Sequence, residues 1–237
     1  MNDDPRVQWF SHDDPEDWIH AAAADMERCL AAELAAHGHA RMLLSGGTTP
    51  APVYAQLAVA PLDWNRVTVG LVDERWLSPR DSASNARLVR EHLLDRADVG
   101  RFEPLVREGL SLAESVHAAN LEARHAPEAC LAILGMGNDG HTASLFPGAE
   151  GLERVLACTQ PYAALDATGC PVAGDWPLRI TLTPAGLART RQRLLLLRGK
   201  AKREVFARAL EADDLLELPI RAAIGTGTVP LRVHWCA

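Results

Sequence analysis

Asp139, Gly140 and His141 combine the features of a reacting group. A carboxylate two residues from an imidazole can orient the ring and stabilise its protonated form. The histidine could then accept and return a proton near neutral pH. The trio lies in Gly135-Met136-Gly137-Asn138-Asp139-Gly140-His141-Thr142-Ala143-Ser144-Leu145-Phe146-Pro147-Gly148, directly after the apolar run Leu131–Leu134. The run reads as a buried strand, and in an open α/β sheet ligands bind at the carboxyl ends of strands. The glycines let the backbone turn sharply and approach a ligand closely.

Four other groups could hold an anion. Ser45-Gly46-Gly47-Thr48-Thr49-Pro50 offers backbone N–H and hydroxyl donors between a strand and a helix. Asp73-Glu74-Arg75 ends another β-rich run, and the planar fork of Arg75 suits a phosphate. Arg179 interrupts an otherwise apolar strand candidate, where a cation is costly to bury without a partner. Lys200 opens a helix, the end at which the dipole disfavours cations, so a bound anion would account for it. Taken singly, the glycine loop also reads as a tight turn, Asp73–Arg75 as a strand-end ion pair and Lys200 as a solvated basic patch.

Several chemistries are disfavoured. Gly135-x-Gly137-x-x-Gly140 matches the dinucleotide fingerprint by letter, but that motif requires a helix next and then a second strand with an acid about 20 residues on. Here the glycines lead into Ser-Leu-Phe-Pro-Gly, which reads as a loop, and no second β run is expected at the right distance. NAD binding is not expected. There is no G-x-S-x-G elbow, so no acyl-enzyme is expected. The other eight histidines read as surface or core residues, and His37-x-His39 is too isolated for a metal site. Five scattered cysteines without a C-x-x-C argue against a disulfide framework or a zinc site and suit a reducing cytosol.

The 237 residues are 48% hydrophobic and 23% charged with a net charge of −7, the composition of a soluble globular chain. That charge points away from a nucleic-acid partner; an anion must be met by a local basic pocket. No leader-like segment and no run long enough to span a membrane are read, and a cytoplasmic location is expected.

The elements that must position these groups alternate. Helices are expected over Trp18–His37 with Gly38 as C-cap, from Pro50 or Pro52 to Leu57, from Ser84 or Asn85 through Leu94, over Ser111–Arg124, from Thr183-Pro184, and over Gly199–Leu210. Strands are expected at Arg41–Leu44, Arg66–Val72, Cys130–Leu134, Leu178–Leu182, Arg193–Leu197 and Val229–Trp235. Residues 148–177, rich in Pro, Gly and Ala, receive no assignment. This alternation implies an α/β fold with a mainly parallel sheet covered on both faces. One domain over residues 1–237 is expected.

Together these segments resemble the 6-phosphogluconolactonase family, grouped with the glucosamine-6-phosphate deaminases in one sugar-phosphate superfamily. The matching pieces are Ser45–Pro50, Asp73–Arg75 with Ser84-Asn85, Gly135–Gly148, Arg179–Thr183 and Gly199-Lys200. They run in the family's order from about residue 41 to the C-terminus. Asp-Gly-His-Thr-Ala-Ser-Leu-Phe-Pro-Gly is the specific block; the Ser-Gly-Gly loop is shared more widely. The resemblance implies a Rossmann-like fold, no metal, no organic cofactor, and a phosphorylated sugar lactone as the small-molecule partner. It implies hydrolysis of 6-phosphogluconolactone to 6-phosphogluconate, the second step of the pentose phosphate pathway. His141 matches the catalytic histidine and Asp139 its accompanying acid. Arg75, Arg179 and Lys200 match phosphate-binding cations, and Ser45, Gly46, Gly47 and Thr48 the phosphate loop. Asp73 matches a strand-end acid that is catalytic in the deaminases. The deaminase branch carries a Glu five residues after the histidine; Phe146 stands there in this chain, which argues against isomerase or deaminase chemistry. A non-catalytic sugar-phosphate sensor is the other alternative, disfavoured by the short acidic N-terminal segment.

Overall fold

The structure, a computed structural model, describes residues 4–226 and 229–237. The chain begins with strand β1 (Val7–His12) and helix α1 (Pro15–His37). Asp14 caps α1 by accepting from the backbone N–H of Glu16 and Asp17, and Gly38 closes it at φ 73°. Next come β2 (Ala40–Leu44), α2 (Ala51–Leu57), β3 (Val67–Leu71), β4 (Asp73–Arg75) and α3 (Asn85–Val89), which continues as one π-helical turn over Arg90–Leu94. Strand β5 (Arg101–Glu103) precedes α4 (Leu112–His125), whose Ser111 and Glu114 form a reciprocal capping box. The second half holds β6 (Ala129–Leu134), α5 (Leu152–Leu156), β7 (Tyr162–Asp166), β8 (Leu178–Leu182), α6 (Pro184–Leu187), β9 (Thr190–Arg198), α7 (Lys200–Glu211), α8 (Arg221–Gly225) and β10 (Leu231–Cys236).

Seven strands form one sheet in the order β1-β10-β9-β6-β2-β3-β5, and every pair in it is parallel. Every residue of β2 and β6 is buried, as expected of central strands covered on both faces. Burying each such Leu or Ile side chain contributes roughly 1.5–3 kcal/mol. From β2 the chain moves outward through β3 to β5, then returns to lay β6 on the other side of β2. The strand order reverses between β2 and β6, and their carboxyl ends carry Ser45 and Gly135. A crevice at such a reversal is the usual ligand site of an open α/β sheet.

The other three strands form an antiparallel sheet, β4-β8-β7. The expected run Arg66–Val72 thus crosses from one sheet to the other. Val72 donates its N–H to Leu44 of the large sheet and accepts from Leu182 of the small one. The 148–177 stretch supplies α5 and β7, with a second apolar cluster formed by Leu145, Phe146, Leu152, Val155 and Leu165 among others. The absence of a β run after the glycine turn is corrected by β7. It pairs antiparallel with β8 and is not the parallel neighbour of β6 that a dinucleotide fold requires.

Candidate active site

The reversal point opens into a cavity of about 390 Å³, the size of a small-ligand site. Its lining comes from both sheets: the Ser45–Pro50 loop after β2, Asp73 and Arg75 of β4, the Gly135–Asn138 turn with His141 after β6, and Arg179 of β8.

The turn after β6 is built around the Asp–His pair. His141 Nδ1 lies 2.6 Å from Asp139 Oδ1, which also accepts the His141 backbone N–H at 3.2 Å. The Gly137 N–H donates to the His141 carbonyl at 3.0 Å, and Thr142 Oγ1 donates to the Gly135 carbonyl at 2.9 Å. A Cβ on Gly137 would overlap both His141 Nδ1 and Asp139 Oδ1, so only glycine lets the two side chains meet. Burial pushes the Asp139 carboxyl up, but the hydrogen bond and charge of His141 outweigh it and hold the group below the usual aspartate range. With Nδ1 engaged, Nε2 is the nitrogen left for a water or substrate. Ala143, also in the lining, has φ 52°. Among the described residues it is the one non-glycine in the left-handed region, a strain of roughly 1–2 kcal/mol.

Asp73 is buried and links β4 to α3 and to the loop after β6. Its Oδ2 accepts from Ser144 Oγ at 2.5 Å and its Oδ1 from Asn85 Nδ2 at 3.2 Å. Arg75 is positioned by donating to the Ala83 carbonyl and to Asn85 Oδ1. Asn85 is itself seated by Glu74, whose buried carboxylate accepts from the backbone N–H of Arg75, Asn85 and Ala86 and from Ser84 Oγ. A Cβ on Gly46 would overlap the Asn85 amide, so the first glycine of the loop is required by close packing. Tyr54 Oη donates to the Ser45 carbonyl at 2.8 Å, while the buried Ser45 Oγ has no partner among the described residues.

Arg179 is buried and donates Nε to the Trp176 carbonyl at 2.6 Å and Nη2 to the Ala173 carbonyl at 2.7 Å. Burial lowers its affinity for a proton, and Asp73 opposes that. Its guanidinium carbon lies 5.2 Å from the centroid of the Phe146 ring.

Of the residues expected at the site, His141, Asp73, Arg75, Arg179 and Ser45–Thr48 line the cavity, and Asp139 adjoins it through His141. Lys200 does not line it. It stands exposed at the start of α7, and the lining cation from that helix is Lys202. Two residues along a helix lie about 200° apart around the axis, so the two lysines point to different sides. Lys202 is one turn before the buried Phe206, with Ala209 beyond, so the inward stripe 202/206/209 was readable from the spacing. Burial makes the Lys202 ammonium easier to deprotonate, and the charge of Asp139 counters this. Phe146, Val172 and Leu196 are among the other lining residues that were not anticipated. No group of three His, Cys, Asp or Glu side chains among the described residues could hold a metal ion, and no described helix is long and apolar enough to cross a membrane.

The profile of the glucosamine-6-phosphate isomerases/6-phosphogluconolactonases matches residues 13–235. The chain belongs to this family. A 6-phosphogluconolactonase of Xylella fastidiosa strain 9a5c is 55% identical over 234 residues, 99% of this chain and 98% of that protein. One from Rhizobium meliloti is 39% identical over 228 residues, covering 94% and 96% of the two chains. The crystal structure of a 6-phosphogluconolactonase from Shewanella baltica superposes with a TM-score of 0.90 at 35% identity, covering 98% of each chain.

Proposed function

We propose that the chain hydrolyses 6-phosphogluconolactone to 6-phosphogluconate with His141 as the general base. The observation that carries this reading is the Asp139–His141 pair at the sheet's reversal point, in a cavity that also collects Arg75, Arg179 and Lys202. Relatives that are 6-phosphogluconolactonases over nearly their whole length support the choice of substrate.

His141 Nε2 takes a proton from a water as the oxygen adds to the C1 carbonyl. The imidazolium, stabilised by Asp139, returns that proton to the ring oxygen as the C1–O bond breaks. The acid so formed ionises and releases one proton. Arg75, Arg179 and Lys202, with the Ser45–Thr48 loop, hold the phosphate. Binding energy from that remote group orients the lactone against the imidazole. Lys202 replaces Lys200 in this set because it faces the cavity.

Proton release from freshly prepared 6-phosphogluconolactone, corrected for spontaneous hydrolysis, tests the proposal. Catalysed release that is far weaker with unphosphorylated gluconolactone is expected. Formation of fructose 6-phosphate and ammonia from glucosamine 6-phosphate, without lactone hydrolysis, would move the chain to the deaminase branch.

A further inference from the structure

Phe146 occupies an unusual position for a core aromatic. It is 2% exposed and belongs to the apolar cluster of the small sheet, yet its ring also lines the cavity. Its centroid lies 4.6 Å from that of His141, with the planes inclined at 41°. The Arg179 guanidinium carbon lies 5.2 Å from the same centroid. Arg179 is in turn fixed to the backbone at Ala173 and Trp176. One ring therefore packs against both the proposed proton-transferring histidine and a permanent cation anchored to the Ala173 and Trp176 carbonyls.

Asp139 constrains His141 through one edge, at Nδ1. A hydrogen bond along an edge leaves the ring free to swing about it. The packing of Phe146 removes that freedom and keeps Nε2 directed into the cavity. The quadrupole of an aromatic ring attracts a cation within about 6 Å of its centroid. His141 is neutral before water attack and cationic after it, so the attraction grows as the proton is transferred, when it can lower a barrier.

We propose that Phe146 is a positioning residue of the lactonase reaction: its ring fixes the His141 imidazole in the cavity, and its π cloud stabilises the imidazolium that exists between the two proton transfers. This inference rests on the assignment of His141 as the base. Other ionisable groups surround the same cavity. Asp139 lies on the same turn as His141, Asp73 and Arg75 on β4, Arg179 on β8 and Lys202 on α7. A test must leave these in place.

Site-specific replacement of Phe146 by 4-fluoro-, 3,5-difluoro- and 3,4,5-trifluorophenylalanine does so. Fluorination drains negative potential from the ring face while changing its shape little. Across the series kcat should fall stepwise, by about three- to thirtyfold at the trifluoro ring. The acid limb of the kcat profile should move to lower pH by about half a unit or more, with KM changing less than kcat. A flat series, with wild-type kcat and an unmoved limb, would show that the ring only fills space. His141→Ala, measured alongside, separates the two claims. If it keeps wild-type kcat, the assignment of His141 as base fails. If it is inactive while the fluorinated series is flat, only the inference about Phe146 fails.

Discussion

The described residues contain two Asp–His pairs, and they differ in everything except composition. Asp139 and His141 are two residues apart in a glycine turn, 2.6 Å from each other, with side chains 25% and 20% exposed. Asp25 of α1 and His234 of β10 are 209 residues apart, 3.1 Å from each other, with side chains 0% and 3% exposed. The Asp25 carboxylate also takes Arg232 at 2.7 Å and Arg28 at 2.8 Å. The second His234 nitrogen faces His12 Nε2 at 3.3 Å, and the His234 carbonyl accepts from Trp18 Nε1 at 3.0 Å. The buried pair ties α1 and β1 to β10, with both ring nitrogens of its imidazole engaged. The pair in the turn leaves Nε2 for the cavity. An Asp–His contact can serve in proton transfer only with access and an unused nitrogen; buried and saturated, the same contact is structure.

Matched substitutions should separate the two pairs. Asp139→Asn removes the carboxylate proposed to support the imidazolium. It should lower kcat by about 10²–10⁴-fold with little loss of stability, as read from lactone hydrolysis and thermal unfolding of the same sample. Asp25→Asn should do the reverse. It strands Arg232 without its counter-charge and His234 Nε2 without its carboxylate partner, costing about 3–5 kcal/mol of stability in denaturant unfolding while kcat of the folded fraction stays near wild type. Equal loss of kcat in both variants would erase the distinction drawn here.

Around the pair in the turn, Lys202→Ala and Lys200→Ala offer a finer contrast. Loss of one charge-assisted phosphate contact, about 1.5–3 kcal/mol, should raise KM for the lactone roughly ten- to hundredfold in Lys202→Ala. Lys200→Ala should leave KM within about twofold. The opposite ranking would restore Lys200 to the site.

The smallest expected effect concerns pH. Burial first, and then the charge of His234, holds the His12 imidazole below the usual histidine range. A depressed pKa in the fold means that His12 contributes stability that is fully present above about pH 6.5, the unfolded value, and is lost as pH falls towards the folded value. His12→Gln should flatten that part of the stability–pH curve, measured by urea unfolding between pH 7 and 5. An unchanged slope would place its origin elsewhere.

The central strands were legible because burial on both faces writes them as unbroken apolar runs, as in Leu131–Leu134 and Leu194–Leu197. Strand β1, Val-Gln-Trp-Phe-Ser-His, was missed because it is an edge strand with mixed exposure, paired only with β10. Strand β7, Tyr-Ala-Ala-Leu-Asp, has low intrinsic β preference in its alanines and becomes a strand through its pairing with β8. Strand β5 is three residues long, too short for any period to show. The Asp–His turn was legible because its partners are neighbours in sequence. The Asp25–His234 pair and the Phe146–Arg179 contact were not, because the groups involved come together only when distant elements pack.

Proton transfer by His141 is tested most directly by kcat of folded His141→Ala on freshly prepared 6-phosphogluconolactone, corrected for spontaneous hydrolysis. A fall of about 10²–10⁴-fold is expected, with affinity for 6-phosphogluconate nearly intact. A folded His141→Ala protein that turns over the lactone at the wild-type rate would contradict it.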